Sequence, residues 1–182
     1  NGVGYTNLQE AIAAAVAANG TVTLVAGKTI EITTALEITE NITIEGNGSI
    51  ITAKDCAGIH IKADLDSLVI RDLTLQGAYS EDSSYVKDGT YVATEAMDAP
   101  YMGIGTYTGG YGVADLTIEG VTIQGFDYGL YFGSNPDNDS PLSVDADNLT
   151  IQDCYIKGAY FEKLTGSTFT NCKFLNNGAD IA

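Results

Sequence analysis

Residues that drive many kinds of chemistry are scarce in this chain. Among 182 residues there is no tryptophan, one histidine, one arginine, three cysteines and three prolines. Three cysteines do not make a disulfide framework. Scarce proline leaves almost every backbone N–H free to join a hydrogen-bond ladder. Positive charge is also short, with 8 Lys+Arg against 24 Asp+Glu and a formal net charge of −16. That field repels nucleic acid and anionic lipid, so neither is expected as a partner. No apolar run is long enough to span a bilayer, since the longest, AIAAAVAA at 11–18, is short and alanine-rich. No signal peptide is visible, and an export signal is expected to have been removed before Asn1.

Apolar residues make up 45 % of the chain and there are 21 glycines, which suits a folded domain with many turns. The informative feature is a repeat. DSLVIRDLTLQG (66–77), DLTIEGVTIQG (115–125) and DNLTIQDCYIKG (147–158) say nearly the same thing. Aligned on apolar positions, Leu68, Ile70, Leu73 and Leu75 match Leu116, Ile118, Val121 and Ile123, and then Leu149, Ile151, Cys154 and Ile156. A weaker copy offers Phe169, Cys172 and Phe174, and an earlier partial one Ile42, Ile44, Ile50 and Ile51.

Within a copy the apolar residues alternate, which marks a strand. A polar pair then interrupts (Arg71-Asp72, Glu119-Gly120, Gln152-Asp153, Thr170-Asn171), which marks a corner, and alternation resumes. Each copy ends on Gly77, Gly125, Gly158 or Asn176. The starts fall at Leu68, Leu116, Leu149 and Ser167, and the last interval is too short for a helix-connected parallel unit. Stacked coils with insertions explain it, and the expected fold is an all-β, right-handed, single-stranded parallel β-helix.

One domain is expected over 1–182, with a capping helix over 5–19 and coils over 21–182. Thr6 and Gln9 suggest a capping box, LQEAIAAAVAA an amphipathic helix, Asn19-Gly20 its stop and TVTLVAG the first strand. Insertions are expected near 79–112 and 134–148. NCKFLNNGADIA stops directly after a strand pair, so the reading includes a fragment of a longer solenoid or self-association through an uncapped C-terminal coil.

The opening, a helix followed by TVTLVAG, ALEITENITIEGNGSIIT and GIHIKADLDSLVIRDLTLQG, resembles right-handed parallel β-helix proteins of the pectate-lyase-like superfamily. The resemblance implies a fold shared by polysaccharide lyases and hydrolases, phage tailspikes and non-catalytic surface proteins. Lyases of that superfamily hold calcium with clustered aspartates and use an arginine as base. Here Arg71 is the single arginine, at a corner, and the structural reading is preferred. The Trp-Asp-His, Gly-His-Gly and paired-aspartate motifs are missing. A lyase built on this chain would need Lys87, Lys157 or Lys163 as base. No catalytic residue is assigned.

The first insertion holds Tyr79, Tyr85, Tyr91, Tyr101, Tyr107 and Tyr111. Tyrosines can stack sugars or partner proteins, or simply pack a loop on the coil. Tyr91, Tyr101, Tyr107 and Tyr111, with Tyr128 and Tyr131, are the candidate ligand-binding residues. The second insertion offers Asp137, Asn138, Asp139, Asp145 and Asp147 as hard oxygen ligands, and Asp137, Asp139, Asp145 and Asp147 are the candidate calcium set. The plainer reading is turn chemistry. His60 is expected to face outward without metal partners. Cys154 and Cys172 are expected at equivalent positions of adjacent coils, as a thiol ladder. Asn41-Ile-Thr43 and Asn148-Leu-Thr150 follow from turn architecture, and no glycosylation is inferred.

Two functions are in view. One is a non-catalytic extracellular or cell-surface module that binds a polysaccharide or a cell-surface protein, or serves structurally. The other is a polysaccharide-degrading enzyme or part of one.

Overall fold

The computed structural model describes residues 4–18, 20–78, 86–87, 90–91, 102–106, 110–133 and 141–181. One helix precedes the strands. α1 (Leu8–Ala17) starts at Asn7, whose side chain accepts from the Glu10 N–H at 3.2 Å. The expected cap was Thr6 with Gln9. Gln9 instead reaches the backbone of Glu37, where its amide accepts from Glu37 N at 2.9 Å and donates to Glu37 O at 3.1 Å. A side-chain amide has the donor and acceptor of a peptide unit, so Gln9 continues the ladder by one rung and shields a strand edge.

The strands wind into a solenoid with three faces. The first face stacks β1 (Thr21–Thr23), the front of β4 (Ile42–Ala53), the front of β6 (Leu68–Gln76), β10 (Val113–Glu119), β13 (Leu142–Asp147) and β16 (Thr168–Thr170). The second stacks β2 (Thr29–Ile32), the rear of β4 and of β6, β11 (Thr122–Gln124), β14 (Thr150–Gln152) and β17 (Lys173–Leu175). The third stacks β3 (Leu36–Ile38), β5 (Ile59–Ile61), β9 (Met102–Gly105), β12 (Tyr128–Phe132) and β15 (Lys157–Phe161). All pairings between coils are parallel. Separately, β7 (Val86–Lys87) and β8 (Thr90–Tyr91) form an antiparallel pair.

The core is three columns of aligned side chains. Ile44, Ile70, Ile118 and Ala146 stack under the first face, and Ile51, Leu75, Ile123 and Ile151 under the second. Ile59, Ile104, Leu130 and Ala159 stack under the third. All of these are at most 1 % exposed. Branched aliphatic side chains fill most rungs, with Ala146 and Ala159 in the β13 and β15 rungs, because each position packs on its counterpart in the next coil. The corner between the first and second faces needs one residue in the left-handed region. Asp72, Gly120, Asn148 and Asn171 fill it, with φ between 48° and 62°. These are the residue types that tolerate that conformation.

The phase of the repeat differs from the text alignment. Thr150, Ile151 and Gln152 pair with Thr122, Ile123 and Gln124, so LTIQ at 149–152 lies on VTIQ at 121–124, on the second face. The strand that lies on LTIE at 116–119 is VDAD at 144–147. Successive coils are offset by 26, 48, 28 and 23 residues. Three consequences correct the sequence reading. Residues 142–147 are a solenoid strand, so the second insertion is shorter than 134–148. Met102–Gly105 is likewise a strand, which interrupts the first insertion. Cys154 and Cys172 are not equivalent, since Cys172 follows a first-face strand and Cys154 a second-face strand. All three cysteines are free.

Candidate functional site

The third face carries a cluster of three tyrosine rings outside the core. β12 reads YGLYF and β15 reads KGAYF, and they pair Tyr128 with Lys157 and Tyr131 with Tyr160. Leu130 and Ala159 are buried, while Tyr128, Tyr131 and Tyr160 are half-exposed. The strands come this close through glycine. A Cβ on Gly129 would lie 2.5 Å from Gly158 O and 2.4 Å from Ile151 Cγ2, and one on Gly103 would lie 2.7 Å from Gly129 O.

Tyr131 and Tyr160 stack with centroids 5.3 Å apart and planes at 21°. Tyr128 meets Tyr131 nearly edge-on at 4.8 Å and 72°, and Tyr160 at 6.4 Å and 66°. Lys157 Nζ lies 4.8 Å from the centre of the Tyr160 ring, a cation–π contact. The Tyr160 hydroxyl donates to Glu162 Oε1 at 2.7 Å. That bond holds the Tyr160 phenol above its ordinary pKa, and burial does the same for Tyr128, with Tyr131 and Asp127 adding to it. Both phenols are therefore neutral hydroxyls at neutral pH. The cluster offers held rings, hydroxyls, one ammonium and one carboxylate.

The sequence-predicted residues distribute as follows. Tyr128 and Tyr131 are in this cluster. Tyr111 is half-buried just before β10, and Tyr91 belongs to β8. Tyr101, Tyr107, Asp137 and Asp139 lie outside the described residues. Asp145 and Asp147 both lie on β13, where Asp147 accepts from Asn148 Nδ2 at 3.1 Å and Asn171 Nδ2 at 3.3 Å. Among the described residues no group of three His, Cys, Asp or Glu side chains is placed to hold a metal.

Sequence reading missed Tyr160, Glu162 and the ring contact of Lys157. The signal was present as x-Gly-x-Tyr-Phe, which occurs at 128–132 and again at 157–161.

Arg71 is occupied. Its guanidinium donates to Glu45 Oε1 and Glu119 Oε2, each at 3.0 Å, from the coils on either side. The hydrogen bond to Glu45 is the main cause that raises its pKa further. A base must give up that proton, and two carboxylates hold it in place. His60 is half-buried in register with Glu37 and Gly105. Burial lowers its pKa first and Lys62 second, against the opposing effects of Glu37 and the Thr106 backbone. Burial pushes the Cys154 thiol up to about 12, so it is not a nucleophile at neutral pH.

Comparison with protein families, with curated proteins and with solved structures gives no match to this chain. Among the described residues no helix is long and apolar enough to cross a membrane.

Proposed function

We propose that this chain is a non-catalytic extracellular or cell-surface binding module, and that the tyrosine cluster of its third face takes a glycan. The observation that carries the reading is the Tyr128–Tyr131–Tyr160 cluster with Lys157 and Glu162 on two adjacent coils. Aromatic rings bind the apolar faces of sugars while hydroxyls and charged groups bind the rim. Rings already held by one another lose little freedom on binding. The proposal includes distant membership of the pectate-lyase-like superfamily, supported by the helix-capped stack of parallel coils.

The test is a panel of soluble oligosaccharides, titrated with calcium and with chelator, followed by a search for new reducing or unsaturated ends. Binding without cleavage is expected. Tyr131→Ala with Tyr160→Ala should weaken it by about ten-fold or more, the scale of one lost aromatic anchor. Cleavage would make the chain an enzyme. Binding lost with chelator would bring Asp145 and Asp147 into the site.

A further inference from the structure

The second face is a different kind of surface. Three coils in succession place Thr-x-Gln on it: Thr74 and Gln76, Thr122 and Gln124, Thr150 and Gln152. The intervening Leu75, Ile123 and Ile151 point inward and are fully buried. The threonines form one column and the glutamines another, in strict register. The coil before them adds Ile50 and Thr52 to the same columns. A stretch four coils long therefore carries no charge, in a chain of net charge −16. The first face, by contrast, presents Glu45, Arg71, Glu119, Asp145 and Asp147 at its outward positions.

Only the short corners at Asp72, Gly120 and Asn148 separate the second face from the first. Gln152 Nε2 donates to Gln124 Oε1 at 3.0 Å, which keeps both amides along the column. The hydroxyls of Thr74, Thr122 and Thr150 and the Gln76 amide have no hydrogen-bond partner among the described residues. The result is a lattice of donor–acceptor groups, spaced about 4.8 Å along the solenoid and about 6.6 Å across each strand.

We propose that the second face docks onto a neutral polysaccharide presented as a flat array of chains. Hydroxyl and amide groups both donate and accept, as sugar hydroxyls do, so pairing does not depend on one register. Within these four coils no ion has to be stripped of water when the surfaces meet, and the columns end on Lys173 beside Thr150 and Glu31 beside Thr52, so they offer no patch of positive charge to a uronate or sulfate polymer. Rows held in register over four coils match an ordered array of chains better than a single strand in solution. This inference stands apart from the tyrosine site, which lies on another face.

The experiment is retention on insoluble cellulose, chitin and β-1,3-glucan, with carboxymethylcellulose as the anionic competitor. The wild-type chain should be retained on at least one neutral solid and should not be displaced by the anionic polymer. Thr122→Val with Thr150→Val keeps shape and strand preference while it removes two hydroxyls. It should melt like the wild type and lose retention by about ten-fold. Thr122→Glu with Thr150→Glu should lose more, while Tyr131→Ala with Tyr160→Ala should be retained as before. Retention on none of the solids, undiminished retention of the valine pair, displacement by the anionic polymer, or loss in the tyrosine pair would each overturn the proposal. The soluble-oligosaccharide titration judges the tyrosine site separately.

Discussion

On the second face, Thr122 and Thr150 repeat at the same position of successive coils, with Gln124 and Gln152 beside them. On the third, the equivalent neighbours change from Met102 to Tyr128 to Lys157, and from Gly105 to Tyr131 to Tyr160. Beneath both, the columns are apolar and buried, with Ile123 on Ile151 in one and Leu130 on Ala159 in the other. A solenoid thus separates two problems. The inward positions must stay apolar because each side chain packs on its counterpart in the next coil. The outward positions answer only to solvent and to whatever binds, so one face can hold a uniform lattice and the next a local cluster.

If the faces share one core, Ile123→Ala and Leu130→Ala should be equally damaging. Each residue is completely buried, and each substitution should cost about 2–5 kcal/mol in urea unfolding. A large inequality would show that one face is held less firmly than the other. Gly129→Ala should expose the main structural difference. Its new methyl meets Gly158 O and Ile151 Cγ2 at 2.5 and 2.4 Å, so about 1–3 kcal/mol is expected. Thr122→Ala on the second face should stay within about 0.5 kcal/mol, because the site is outward and uncrowded.

The smallest effect concerns His60 on the third face. Its pKa is lowered from 6.5 in the folded chain, chiefly by burial. As pH falls below 6.5 the unfolded chain takes up the proton first, so the stability contributed by the neutral imidazole declines and then levels off below the folded pKa. The melting temperature of the wild type relative to His60→Gln should therefore be constant above about pH 7.5 and shrink toward pH 5. A difference that grows on acidification would reverse the assignment.

Much of this architecture was legible from residues alone. Alternation at Leu68-x-Ile70 and Leu73-x-Leu75, broken by Arg71-Asp72, marked strand, corner and strand. The parallel stack followed from the repeat. What failed was phase. LTIEG, VTIQG and LTIQD are nearly the same word, because neighbouring faces of one coil obey the same inward–outward rule. A text alignment could slide by one face at no penalty. The error moved Cys154 beside Cys172 and hid β13 inside a supposed insertion. The tyrosine site was half legible. Tyr128 and Tyr131 were named, but Tyr160 lies a coil away and becomes their neighbour only through β12–β15 pairing.

The sequence by itself determined that this chain winds into parallel coils behind a short helix, because apolar periodicity and left-handed corner residues are local and additive. Tertiary structure alone decided which strand stacks on which. Hydrogen bonds between coils select one register from several that the local pattern permits, and that choice brings Tyr160 to Tyr131 and lines up the threonines of the second face.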